Sequence, residues 1–433
     1  MVINNKSNNT QPENQATSCI SHRGGVERSR SKGFKEIKRK VKYILKTPFR
    51  IFGKIQYHEY LESYKNLSKE NFVNITTKPY SGMNTVKPIA LYLPQFHSIP
   101  LNDKSFGRGF TEWTNVTKAI PQFNGHYQPH LPIDVGFYDL SKPDVMYRQV
   151  ELAKMYGIYG FCFHYYWFSG ERLLEAPIFN YLNNKDLDMP FCLCWANENW
   201  SKLWDGGNKE LLMTQELKDN DDEKFFYDIL PFFKDERYIK INNKPVLLIY
   251  RLNLFEEERI KTFVKNIKTL AKKEGFDDIH IIGSIVNKCT DPTIYGADAA
   301  MEFPPHYVKQ KSAKINYVNK NFVGKIIDLK KYINQRQYIK ECDFKLYKGI
   351  FPSWDNTARK AMSNAWVFIS NPKLYKTWLI DLINWTKENH KIEEQFIFIN
   401  AWNEWAEGAH LEPDQKYGYA YLQATKDALE ETC

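Results

Sequence analysis

From residue 87 to the end of the chain, short apolar runs recur, each followed by polar residues and a longer amphipathic stretch. This repeat constrains the fold more than any other feature. The runs are 89–93, 158–164, 191–195, 246–250, 279–284, 299–303, 349–352 and 396–401. Helical periodicity falls between most of them, as at 144–156, 255–274 and 373–388. Continuous apolar strands alternating with helices predict a parallel sheet covered on its outer face. Eight such units predict a closed α/β barrel, a (β/α)8 TIM barrel with long loop insertions, over residues 85–433. The short connection between the fifth and sixth runs, and the long insertion 304–348, keep an open doubly wound sheet as the alternative.

Residues 1–84 read as a separate, basic arm. Residues 1–21 are polar and Asn-rich, a composition expected to be disordered. Between 28 and 54 lie eleven Lys/Arg and one acid, Glu36, while the whole chain is only +9. The arm thus holds the entire positive excess, and the barrel region is close to neutral. Phe34, Ile37, Val41, Ile44, Leu45, Phe49, Ile51 and Phe52 interleave with the charges, broken near Pro48. That suits an interfacial helix on an anionic leaflet, and equally a solvated linker helix. No recognition motif accompanies the charge, so a nucleic-acid partner is not expected. The chain opens without an apolar leader, and no run approaches the roughly 20 apolar residues of a membrane span. The seven cysteines form no metal or disulfide framework, and Cys162, Cys192 and Cys194 sit inside apolar runs. The expected location is the cytoplasm, with peripheral contact at the inner face of the cytoplasmic membrane through residues 28–54.

Barrels carry their sites at the carboxyl ends of the strands. Those ends supply Tyr92, Gln95 and His97; His164, Tyr165 and Tyr166; Trp195, Asn197, Glu198, Trp200 and Trp204; Arg251; Glu302; Trp354 and Asp355; and Trp402, Asn403, Glu404, Trp405 and Glu407. Amides and carboxylates bond hydroxyls, and indoles pack on the C–H faces of sugar rings. The 11 Trp and 27 Tyr of the chain also serve the core. Glycosidic cleavage needs two carboxyl groups in different protonation states. Glu404 and Glu407, three apart after the last strand, are the candidate pair, with Glu198 and Glu302 as other partners for Glu404. His126 and His130 flank Pro129, which prevents a regular helix from aligning the two rings as metal ligands. His126 is therefore expected in substrate contact or loop anchoring, and no metal or cofactor is expected. The acidic triplet at 186–188 precedes the third strand, on the face of a barrel that serves stability.

Six segments carry a resemblance to a known family: 90–97 (ALYLPQFH), 109–116 (GFTEWTNV), 125–132 (GHYQPHLP), 160–168 (GFCFHYYWF), 192–200 (CLCWANENW) and 400–414 (NAWNEWAEGAHLEPD). Together they resemble the WbsX-type proteins of bacterial surface-polysaccharide (lipopolysaccharide) biosynthesis, related to glycoside hydrolase family 99. The resemblance implies a (β/α)8 barrel and retaining cleavage of glycosidic bonds. By it, Glu404 would assist attack by the substrate's own 2-hydroxyl, and Glu407 would protonate the leaving group. It also adds Glu112 and Trp113 to the substrate-binding set. Ala406 stands where the eukaryotic enzymes commonly have histidine, so the substrate is left as an oligo- or polysaccharide of the bacterial surface. Three functions follow in order: a retaining glycoside hydrolase or transglycosylase, a glycosyltransferase of O-antigen or capsule biosynthesis, and a non-catalytic glycan-binding barrel.

Overall fold

A computed structural model describes residues 71–433 apart from 203–209, 309–311, 314, 316, 317, 320, 340, 341 and 361–363. The basic segment 28–54 and Trp204 lie outside the described residues. Eight parallel strands form the central sheet: β1 Lys87–Tyr92, β2 Gly160–Phe168, β3 Phe191–Trp195, β4 Lys244–Ile249, β5 His280–Ile285, β6 Ala299–Glu302, β7 Leu346–Ile350 and β8 Phe396–Ile399. Each pairs with its sequence neighbours. The ring closes through Ile89↔Phe398 between β1 and β8, which excludes the open sheet. The apolar runs are buried almost throughout, as expected of strands covered on both faces.

Besides short helices in the strand-end loops (Pro100–Phe106, Glu112–Lys118 and Thr357–Lys360), the helices are α1 Asp144–Met155, α2 Ala176–Asn183, α3 Asp221–Phe233, α4 Glu257–Lys273, α5 Leu329–Asn334, α6 Pro372–Asn389 and α7 Ala420–Glu431. The connection between β5 and β6 is only a 3₁₀ turn, Pro292–Tyr295. Helix α4 shows how sequence fixes these elements. The Glu256 side chain accepts the Arg259 N–H at its start, Glu257 and Glu258 fill the first turn, and Lys272 and Lys273 fill the last. These charges oppose the helix dipole at both ends. Ile260, Phe263, Val264, Ile267 and Ala271 form its buried stripe. None of the described helices is long and apolar enough to cross a membrane.

Two additions shape the carboxyl face. The insertion before β7 contains α5 and the strand Gly324–Asp328, which pairs with Ala365–Ile369. Trp354–Asp355 joins the same small sheet antiparallel. Residues just before β1 lie along the barrel wall: the Val73 N–H donates to the Tyr417 carbonyl at 3.1 Å, and Asn84 Nδ2 to the Leu429 carbonyl at 2.8 Å. Asp188, which precedes β3 and so stands at the amino end of that strand, pairs with Lys154 of α1 at 2.5 Å.

Candidate active site

After β8 the chain makes a tight hairpin. Asn403–Glu404 pairs antiparallel with Ala409–His410, around the 3₁₀ turn Trp405–Glu407. Gly408 closes the turn at φ 59°, with a Cβ there falling 2.9 Å from Asp355 Cβ, so both backbone and space call for glycine. Asn403 locks the hairpin to β1: its Oδ1 accepts the Leu93 N–H at 2.7 Å, and its Nδ2 donates to the Leu93 carbonyl at 3.0 Å. Beneath lies Glu412, whose carboxylate accepts Gln149 Nε2 (2.6 Å), Trp405 Nε1 (2.6 Å), Tyr138 Oη (3.0 Å) and Trp402 Nε1 (3.1 Å). Burial pushes its pKa up to about 7, against the pull of those donors. The indoles of this motif are therefore scaffold: they hold the turn from below.

On that scaffold, Arg359 of the short helix Thr357–Lys360 gathers three carboxylates. Its Nη2 lies 3.0 Å from Glu112 Oε2 and 3.2 Å from Glu404 Oε2, and its Nη1 lies 2.8 Å from Glu407 Oε1. The Arg359 side chain is 4% exposed, so these are buried charge-assisted contacts. Burial raises the Glu404 pKa to about 8. Arg359 opposes the rise, and the charges of Glu407 and Glu112 add to it. Glu404 thus carries a proton at neutral pH, beside a partner carboxylate paired with a guanidinium. His164, on β2, is driven down to about 4 by burial, with Arg359 contributing. Its Nε2 is buried with no hydrogen-bond partner among the described residues.

These groups form one end of a cleft of about 430 Å³, in the size range of small-ligand sites. Of the residues expected from sequence, Gln95, His164, Tyr166, Glu198, Trp354, Glu404 and Glu407 line it. Glu198 accepts Arg251 Nη1 at 2.9 Å and Asn287 Nδ2 at 3.2 Å. Glu112 reaches the cleft through Arg359. Trp200 braces Tyr166 edge-on at 5.1 Å, its own Nε1 donating to Asn102.

Other expected contacts face elsewhere. Tyr92 is in the barrel core, donating to Gln149 Oε1. His97 bonds the Pro94 carbonyl, and Trp113 donates to the Tyr138 carbonyl amid an aromatic cluster. Tyr165 points outward to Asp228 of α3, and Trp195 packs outward on Phe225 and Phe263. Asn197 exchanges hydrogen bonds with the Arg251 backbone. His126 accepts the Gln122 N–H at Nδ1, which places its proton on Nε2, 2.5 Å from Asp355 Oδ2: this pair anchors a loop. Glu302 pairs with Lys348 at 3.0 Å and lines a second cavity of about 690 Å³. Of the three candidate partners for Glu404, then, Glu407 is the one that shares its guanidinium. Tyr250 and Asn356, at the ends of the fourth and seventh apolar runs, line the cleft as strand-end reading expects, whereas Arg359 and His306, also at the cleft, were missed. Arg359 comes from a side helix that strand-end reasoning does not sample.

The fold and site define a (β/α)8 barrel with a carboxyl-lined cleft over the carboxyl ends of its strands. The chain belongs to the family described as glycosyltransferase WbsX, whose model matches residues 88–425. Two relatives, each named uncharacterized protein WxcX, come from two strains of Xanthomonas campestris pv. campestris. Both are 41% identical over 343 residues, covering 79% of this chain and 49% of the relative. The chain thus spans about half the length of the curated relatives it matches. A solved structure titled glycoside hydrolase-like protein aligns with TM-score 0.51 at 14% identity, over 83% of this chain and 98% of that one, a likeness of fold. The GH99 endo-α-mannosidase from Bacteroides thetaiotaomicron aligns with TM-score 0.49 at 12% identity, over 80% of this chain and 97% of that one.

Proposed function

We propose that this chain is a carbohydrate-active enzyme that breaks and remakes glycosidic bonds of a bacterial surface polysaccharide, by retaining hydrolase or transglycosylase chemistry at Glu404 and Glu407. The observation that carries the reading is the unequal carboxyl pair on one buried guanidinium: Glu404 with its pKa near 8, and Glu407 2.8 Å from Arg359. A carboxyl whose proton burial retains, beside a second carboxyl set on the same guanidinium, is an arrangement suited to acid–base cleavage of an acetal. In this reading the resting proton sits on Glu404. The scheme implied by the family resemblance places it on Glu407 at the moment of leaving-group departure. The pair therefore passes one proton between its members, through substrate or water, before the bond breaks. His164, Tyr166, Glu198 and Trp354 orient the sugar by hydrogen bonds and ring stacking. Water or a second sugar as acceptor gives hydrolysis or transfer from one intermediate.

The test is incubation of the purified chain with α-mannans and bacterial surface glycans, with products read by mass spectrometry. New reducing ends or transferred oligosaccharides without a nucleotide sugar support the reading. The family's description favours a second one, a nucleotide-sugar-dependent transferase. Products that appear only when nucleotide sugar and lipid-linked acceptor are supplied would replace the first reading with the second. We also infer that the basic segment 28–54 docks on an anionic leaflet, supported by its eleven Lys/Arg interleaved with apolar residues.

A further inference from the structure

Beneath the Glu404 hairpin lies a cluster of donors that the reaction does not use. One nitrogen from each of His130 and His410 and one carboxylate oxygen of Asp414 lie within 4.8 Å of one another, all three residues buried. His410 Nδ1 donates to the Glu412 carbonyl at 2.9 Å, which fixes the tautomer and leaves a lone pair on Nε2. That lone pair meets His130 Nδ1 at 2.9 Å. Metal-bound histidines are oriented in the same way, by a carbonyl or carboxylate behind the ring. Asp414 accepts the Lys416 and Tyr417 N–H groups with Oδ1, at 3.0 and 2.6 Å, and turns Oδ2 toward His410 Nε2 at 3.7 Å. The Tyr127 ring lies 4.3 Å from that of His130. Its hydroxyl is buried and faces the Asp414 carboxylate and the Leu131 and Lys416 backbone.

Tetrahedral zinc, with bonds of about 2.0–2.1 Å to nitrogen and oxygen, sets its donors roughly 3.3 Å apart. The observed 2.9 and 3.7 Å straddle that spacing, and the remaining pair, His130 and Asp414, lies within 4.8 Å, so side-chain rotation has to draw the three donors onto one ion. Two imidazoles and one carboxylate suit zinc-class ions better than calcium or magnesium, which prefer all-oxygen shells. We propose that His130, His410 and Asp414 bind a divalent cation of the zinc class, with Tyr127 or water in the fourth position. The ion ties the loop after β1 to the hairpin that holds Glu404. On binding, the His130 proton moves to its other nitrogen. Lys416, whose Nζ lies over the Tyr127 and Tyr417 rings at 5.0 and 4.8 Å, sets a positive charge near Asp414 and Asp355. It competes with the ion without blocking it.

The test uses the full chain, dialysed against Zn2+, desalted and subjected to elemental analysis, with His130→Gln, Asp414→Asn and Lys416→Gln beside it. One equivalent of zinc per chain is expected in the wild type, lost in folded His130→Gln and Asp414→Asn and bound more tightly in Lys416→Gln. If His130→Gln and Asp414→Asn fail to fold, the wild type decides alone through Co2+ substitution, where the intense visible absorption of a tetrahedral site is expected. A wild type that takes up neither Zn2+ nor Co2+, with melting temperature unmoved by either, would overturn the proposal. So would zinc retained undiminished in both folded ligand variants.

Discussion

Three carboxyl groups lie within 3.2 Å of a single buried guanidinium, and removing that guanidinium leaves buried carboxyls without their counter-charge. Arg359→Ala should therefore cost about 3–5 kcal/mol, the scale for breaking a buried ion pair from one side. Without the guanidinium the three carboxyls repel, and protonation relieves them, so the loss should be larger at pH 8 than at pH 5.5. Urea unfolding at the two pH values measures this, and an equal loss at both would contradict it. Glu404 itself has a folded pKa near 8 against an ordinary 4.5. Stability is therefore undiminished by this group below the ordinary value and falls as pH rises from there toward 8. Glu404→Gln lacks that dependence, so its melting temperature relative to wild type should climb between pH 5 and pH 8. A gap constant across that range would remove the raised pKa from the account. At this scale the sequence exposed the candidate carboxyls but not their surroundings. Successive strand residues alternate faces, so His164 and Tyr166 enter the cleft while Tyr165 between them points to α3. A run of aromatic residues does not announce which parity faces inward. Arg359 carried no signal at all, since its meaning comes from carboxylates contributed by two distant segments.

Among the elements, the eight strands were legible because each is a continuous apolar run bounded by polar residues, and their burial in the structure follows directly. The helix of the fifth unit was missing from the sequence pattern and is a 3₁₀ turn in the structure. The side sheet of Gly324–Asp328, Ala365–Ile369 and Trp354–Asp355 was not legible. Its strands are short, come from separate insertions, and are defined by each other more than by their own periodicity. Packing between β6 and β7 is tight enough to specify a residue. A Cβ on Gly349 would fall 2.0 Å from the Glu302 carbonyl oxygen and 2.7 Å from Pro304 Cδ. Gly349→Ala forces backbone apart in the barrel wall and should cost about 1–3 kcal/mol or more, as overpacking does. The urea midpoint should fall without a change of slope. An unchanged midpoint would show that the wall yields more easily than the distances imply.

For the whole molecule, the separation of charge matters most. The barrel region is near neutral while residues 28–54 hold the basic excess, so association with an anionic surface and chemistry in the cleft should be separable. Removing residues 1–62 leaves Val73 and Asn84 with their partners on the barrel. That truncation should lose binding to phosphatidylserine-containing vesicles, lose its salt sensitivity, and keep activity on soluble glycans. Equal vesicle binding by both forms would remove the membrane role. Closure of the ring between β8 and β1 brings Glu404 and Glu407, near the end of the chain, beside Glu112 from the loop after the first strand. The central claim is that these two carboxyls make and break the glycosidic bond. Its most direct test compares Glu404→Gln and Glu407→Gln with wild type on whichever glycan the wild type processes, following product by mass spectrometry over time. The account predicts folded variants that still bind the glycan and lose turnover by a factor of about 10² or more, the usual range for removing a general acid or base. Turnover within a few-fold of wild type in both variants would contradict it.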